Sequence, residues 1–274
     1  MIVLETQQHF QDVANLSFCY WCGNDFVPQD QKNGDHVPPK NAFACEDRTP
    51  PLILKTHETC NSTHKTTDEL IGQLVALQRN YVTPDPENRR LRMEVYPGQE
   101  FGAVTNVNVV EAVWRYIRGF HAALYREPLS LGNSMITTPF TRGRIVNSEL
   151  VLEGPRQEQH FEIVQAIKNQ RAAGNVDRII SNNRKVISEC VWVYADDRTA
   201  VESGQRPPTP RPACLFALDI YGWKRLGDAG VVPARGCAGA YYMSDGQSPI
   251  RASPLYKNSV PSIPNQNPWD PFAP

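Results

Sequence analysis

Cys19-Tyr20-Trp21-Cys22-Gly23, then Gly34-Asp35-His36-Val37-Pro38-Pro39-Lys40, then His57-Glu58-Thr59-Cys60-Asn61-Ser62-Thr63-His64-Lys65 are the three pieces of sequence that decide how this chain is read. Cys19 and Cys22 form one C-x-x-C pair, and His57 and Cys60 repeat its spacing. At that spacing a single chain turn offers both donors to one tetrahedral zinc ion, so the two pairs together tie the ends of a small module. Cys45 and His64 are the substitutes for His57 in such a foursome. Between the pairs lies a carboxylate next to an imidazole, Asp35-His36, and Asn61 follows the last zinc ligand directly. A second metal site, catalytic rather than structural, is the natural reading.

At these residues the chain resembles the HNH endonuclease family in its zinc-stapled form, whose signature is a C-x-x-C pair, an Asp-His, a nearby Pro and a second ligand pair followed by His or Asn. The resemblance covers about the first third of the chain. It implies a ββα-metal module, a β-hairpin packed on a short helix around one divalent ion, with Asp35-His36 on the first strand. It also implies that Asp35 and Asn61 are ligands of the catalytic metal and that His36 is the general base. Two positions depart from the family pattern. His57/Cys60 stands where Cys/Cys is usual, and Thr49-Pro50-Pro51-Leu52 stands where a middle Asn often braces the loop that orients the base. Either another group braces that loop or activity is impaired.

The residue chemistry agrees with these roles. An imidazole that titrates near neutrality can take a proton from water, which suits His36. A hard cation on Asp35 and Asn61 keeps positions open for phosphate oxygens, where it can act as a Lewis acid. Oxygen donors favour Mg²⁺ or Mn²⁺, while His64 as an added ligand tilts the site toward Ni²⁺, Zn²⁺ or Mn²⁺. His64 stands one helical turn beyond Cys60, so it can face either metal, the substrate phosphate or solvent. An Asp-His dipeptide on its own is usually a surface loop; here it sits inside a zinc frame. His9, His121 and His160 read as packing or surface residues.

Composition narrows the class. Of seven cysteines three, Cys19, Cys22 and Cys60, have metal-type spacing with His57, which argues against a disulfide framework; Cys190, Cys214 and Cys237 read as reduced thiols. The opening Met1-Ile2-Val3-Leu4-Glu5 has no basic start or sustained apolar core, and no run approaches a membrane span, so a soluble, cytoplasmic protein is expected. No Walker-type glycine loop appears, which argues against ATP-driven chemistry in this chain. Net charge is only −1. Non-specific DNA affinity comes mainly from Lys and Arg neutralising phosphates, and the motif segment is acid-rich. Lys40, Lys65 and Arg79 are the nearest phosphate contacts; spaced Arg residues further on, such as Arg89, Arg90 and Arg92, are as readily a solvated face.

Along the chain the expected organisation is α+β: an HNH module over residues 1–82, a linker or short strand over 83–105, an α+β accessory domain over 106–252 and an extended Pro-rich tail over 253–274. The motif helix is expected to run through 62–80 on Leu70, Ile71, Leu74, Val75 and Leu77. A second helix is expected from Asn106 to Tyr125, with Val109, Val110, Val113, Trp114, Ile117 and Leu124 as its apolar stripe, and a third over 155–173. Two strands are expected, Ser188 to Ala195 and Ala213 to Trp223, separated by a Pro-rich loop. The leading expectation for function is metal-dependent cleavage of DNA, with RNA not excluded, in bacterial defence, restriction or a mobile element. Residues 106–252 are the candidate surface for a homodimer or a protein partner. The contrasting class is a zinc-stapled module whose catalytic site has decayed and which docks nucleic acid or protein.

Overall fold

The chain begins with a two-residue strand, β1 (Val3–Leu4), and a helix, α1 (Gln7–Val13), before reaching the strands that carry the motif, β2 (Lys32–His36) and β3 (Ile53–His57). Then follow α2 (Glu58–Ser62), α3 (Lys65–Arg79), β4 (Met93–Val95), β5 (Gly102–Val104) and α4 (Val109–Tyr125). The remaining elements are β6 (Ser134–Thr137), β7 (Arg142–Val146), β8 (Glu149–Glu153), α5 (Gln157–Ala172), β9 (Asp177–Ser181), β10 (Val186–Trp192), β11 (Pro212–Ile220) and β12 (Cys237–Tyr242). This is a computed structural model, and it describes residues 1–79, 90–95, 102–104, 106–107, 109–129, 134–137, 142–146, 149–153, 157–192, 212–220 and 237–242. The fold class is α+β. The Pro-rich tail expected over 253–274, the loop over 205–211 and the side chains of Leu77 and Arg79 lie outside the described residues.

Two compact units divide the chain, Thr6–Pro128 with Ser181–Asn183, and Met1–Glu5 with Leu129–Ile180 and Arg184–Pro274. The division differs from the boundary expected at residue 82. Val3 and Leu4 add to a sheet by pairing in parallel with Arg178 and Ile179, and α4 belongs with the motif.

In the motif unit, β2 and β3 pair antiparallel with Asp35 opposite Leu54 and His36 opposite Ile53. Leu54 and Thr56 point inward on β3 and its other residues do not, the alternation of a two-stranded ribbon with one covered face. The expected long motif helix is broken. Thr63 and His64 separate α2 from α3, with the Thr63 and His64 N–H groups bonding back to Thr59 and Asn61. Leu70, Ile71, Val75 and Ala76 form the buried stripe of α3. On α4 every residue from Ala112 to Tyr125 is buried, so its stripe became a whole circumference. A Cβ on Gly119 would lie 2.7 Å from Cγ1 of Val37, the residue after His36, so α4 passes the end of β2 at a distance only glycine permits. That approach carries Arg115 and Arg118, both buried, into the unit that holds the motif.

In the other unit, eight strands form one sheet in the order β1-β9-β10-β11-β12-β6-β7-β8. The two expected strands appear as β10 and β11, adjacent and antiparallel, with Cys190 opposite Phe216. Helix α5 covers them through Ile163, Val164 and Ile167, which pack with Val176, Val191, Leu215 and Ala217. Glu189 is fully buried on β10 and is met by Arg171 at 3.3 Å and Arg178 at 3.4 Å. Cys190 and Cys214 are free, buried thiols with Sγ atoms 3.1 Å apart. His121 and His160 are buried packing residues.

Candidate metal centre and adjoining cleft

The turn before β2 is closed by its own backbone, with the Gly23 N–H donating to the Cys19 carbonyl at 2.8 Å and the Cys19 N–H to Asn24 at 2.9 Å. Gly23 takes φ +80°, a conformation that L side chains rarely adopt, and this tight reversal turns Cys19 and Cys22 the same way. From the far end of β3, His57 caps α2 and Cys60 follows one turn on. The donor atoms of Cys19, Cys22, His57 and Cys60 all lie within 4.8 Å of one another. Cys45 is exposed on a separate turn and takes no part.

The donor set suits zinc. Nδ1 of His57 stands 3.4 Å from the Cys22 sulfur and 4.0 Å from that of Cys60, while Nε2 stands 3.1 Å from Oδ2 of Asp30. A proton on Nε2 held by Asp30 leaves the Nδ1 lone pair facing the thiols, the tautomer a ligand needs. Burial pushes the Cys19 thiol up, but hydrogen bonds from Thr56 and from the backbone at Cys22, His57 and Trp21 outweigh it and bring it down to about 7. Burial, then the charges of Cys19 and Cys22, push Cys60 up to about 12. Three thiolates so close repel one another, and a divalent cation is what relieves them. Arg118 adds a buried positive charge at this end of the unit, its guanidinium 4.9 Å from the Trp21 ring centre. Burial lowers its pKa to about 10, with Cys22 and Cys19 acting against the fall, so it is charged at neutral pH.

A cleft of about 210 Å³ opens between the hairpin and the helices that follow it, where Asp35, His36, Lys40, Asn61, Lys65 and Asp68 contribute to its wall. Of the residues expected to act together, Asp35, His36, Lys40, Asn61 and Lys65 line this one cleft and His64 does not; the Arg79 side chain lies outside the described residues. His64 is 4% exposed and stands edge-on to Trp21 with ring centres 4.5 Å apart, its Nδ1 3.9 Å from Glu111. Burial, reinforced by Arg115 and Arg118, lowers its pKa to about 4, which makes it a neutral packing group away from the cleft wall.

His36 is half-buried; burial first, then the Lys40 charge, depress its pKa against the pull of Asp35. Its neutral form, the one that accepts a proton, is therefore favoured. Nδ2 of Asn61 donates to Oδ1 of Asn33 at 3.0 Å, which turns the amide so that its oxygen is the end left to a cation. Asp35 is buried, with Oδ2 accepting from the Tyr20 hydroxyl and Oδ1 3.6 Å from Nη2 of Arg115. An oxygen from Asp35 and another from Asn61 fit a hard divalent cation. Tyr20, Asp68 and Arg115 were not among the residues expected at the site; the Asp68 side chain is only 16% exposed.

The β2–β3 loop has no Asn at the middle position. Its backbone is held by the Asn182 N–H on the Pro50 carbonyl at 3.0 Å and the Asn183 N–H on that of Thr49 at 2.6 Å. The Asn183 side chain reaches Asp47 at 3.3 Å, and the Val37 N–H bonds Leu52 at 2.9 Å.

Compared with protein-family models, curated proteins and solved structures, the chain matches none of them. What can be said of its chemistry therefore comes from its own residues. They define a protein with a Cys₃His cluster that can hold a structural metal such as zinc. Among the described residues no helix is long and apolar enough to cross a membrane.

Proposed function

We propose that this protein is an HNH-type endonuclease that hydrolyses phosphodiester bonds in DNA, in the setting of bacterial defence, restriction or a mobile element. The observation that carries the reading is that Asp35, His36 and Asn61 line one cleft on a hairpin and helix held beside a Cys₃His cluster. A divalent ion, Mg²⁺ or Mn²⁺ by the oxygen donors, supplies Lewis acidity to the scissile phosphate and to the departing 3′ oxygen. Asp35 and Asn61 hold it. His36, biased toward its neutral form, takes the proton of the attacking water on an imidazole nitrogen. Lys40 and Lys65 face the same cleft and bind the phosphate on either side of the cut. Zinc on Cys19, Cys22, His57 and Cys60 fixes where β3 ends and α2 begins, and so where Asn61 stands.

Nicking of supercoiled plasmid with Mg²⁺, Mn²⁺ or Ni²⁺ tests the reading; conversion to open circle is expected with at least one of them. A decayed docking module is the second reading, and the acidic residues Asp68 and Glu69 in the cleft wall favour it because they repel phosphate. DNA retention without any nicking would select it.

A further inference from the structure

Helix α4 delivers to the edge of the cleft a guanidinium that the motif does not call for. Arg115 is 1% exposed and is ion-paired with Asp68, Nη2 donating to Oδ2 at 2.9 Å and Nη1 lying 2.8 Å from Oδ1 without hydrogen-bond geometry. The same Nη2 lies 3.6 Å from Oδ1 of Asp35, close enough for attraction and too far for a hydrogen bond. On the other oxygen of Asp35 the Tyr20 hydroxyl donates. The cysteine turn, β2, α3 and α4 thus converge on one carboxylate.

Geometry ranks the partners. A buried arginine with no other acceptor would close its fork on Asp35 and take both oxygens, since the two-pronged pair is the strongest bond it can make. Asp68 holds the guanidinium instead, through one hydrogen bond and a second close ionic contact. The Tyr20 hydroxyl meanwhile fixes the rotation of the Asp35 carboxylate, which leaves Oδ1 as the atom that can ligate and makes coordination one-oxygen.

We propose that Tyr20, Arg115 and Asp68 are positioning residues for the divalent ion of the nuclease reading, with Asp68 the counter-ion that keeps Arg115 from capturing Asp35. The inference rests on that reading of Asp35. It has a sign that simple packing does not share: losing Asp68 alone releases the fork onto Asp35, and losing Arg115 as well removes the competitor.

The test is Mn²⁺ binding to the zinc-loaded full chain without DNA, followed by the electron paramagnetic resonance of free Mn²⁺, with zinc content as the check on folding. The Mn²⁺ concentration for half-maximal plasmid nicking is the second readout. Asp68→Asn is expected to weaken Mn²⁺ binding at least tenfold, and Asp68→Asn with Arg115→Met to recover most of that loss. Tyr20→Phe is expected to weaken it about tenfold, the usual scale for a partner of a ligating carboxylate. A double variant that binds Mn²⁺ more weakly than Asp68→Asn, or an Asp68→Asn protein that binds like wild type, overturns the proposal. Should Asp68→Asn lose its zinc and unfold, Tyr20→Phe decides, and unchanged Mn²⁺ binding there overturns it. Asp35→Ala separates the two levels. If Asp35→Ala leaves both readouts intact, or wild type responds to Mn²⁺ in neither, the nuclease reading fails; if Asp35→Ala abolishes them while the other variants stay normal, only this inference does.

Discussion

Nε2 of His57 stands 3.1 Å from Oδ2 of Asp30, while the other ring nitrogen faces the cysteine sulfurs. Asp30 also accepts the Val27 N–H at 2.7 Å, so the carboxylate is itself held in place. A metal-ligating imidazole depends on such a partner for its tautomer and ring orientation. Asp30→Ala is therefore expected to lower zinc affinity about tenfold with the fold retained. Competition with a chromophoric chelator reads this directly, and a variant that yields zinc no faster than wild type would count against the ligand role of Nδ1.

His36 acts on water in the proposed reaction and holds no element together. His36→Ala is expected to lose about 10²–10⁴-fold in nicking rate with zinc content and thermal midpoint unchanged. Near wild-type turnover in saturating Mn²⁺ would remove His36 from the base role.

The two metals should leave in order. One charged and one neutral oxygen hold a hard cation weakly, whereas three sulfurs and a nitrogen hold zinc tightly. Brief EDTA treatment is expected to stop nicking at once while circular dichroism stays native, and Mg²⁺ or Mn²⁺ alone should restore activity. His64→Ala, which alters a packing residue outside the cleft wall, is expected to lower stability without moving the metal concentration that restores nicking. Loss of structure in step with loss of activity would mean that one ion serves both purposes.

Acid should act through His121. Burial, reinforced by Arg118 and opposed by the Glu127 carbonyl, holds its folded pKa at about 3 against an ordinary 6.5. Between those values the unfolded chain binds a proton that the folded chain refuses. The neutral form's contribution is thus complete above pH 6.5 and is eroded as pH falls toward 3. At pH 5 the erosion amounts to about 2 kcal/mol. His121→Gln keeps a donor for the Glu127 carbonyl and cannot titrate, so its stability difference between pH 7.5 and pH 5 should be smaller by that amount in denaturant unfolding. Parallel curves for the two proteins would refute the assignment.

Much of the site was legible because its signal is local. The C-x-x-C and His-x-x-Cys spacings, and Asn61 directly after Cys60, are set within a few bonds of chain, and the structure brings those residues together. What escaped depends on meetings across long separations. The part Asp68 plays depends on Arg115, 47 positions later, meeting it. Tyr20 sits among cysteines and gave no sign of facing Asp35. His64 could point several ways on a continuous helix; the break at Thr63 turned it onto Trp21. The helix Val109–Tyr125 and the strands β10 and β11 were readable from apolar patterning. The short strands β6 to β8 and the pair β1 and β9 were not, because segments of two to five residues acquire their state from their neighbours.

The clasp on the β2–β3 loop has a consequence for how the protein is made. Asn183 and Asp47 are 136 positions apart. During synthesis, zinc can close the cysteine turn as soon as Cys60 has emerged, but the carbonyls of Thr49 and Pro50 wait for donors that the ribosome adds only with Asn182 and Asn183. The β2–β3 loop is finished late, after α4 and α5 have already left the exit tunnel. A nascent or truncated chain can therefore hold a structural metal on its four donors long before its β2–β3 loop gains these bonds.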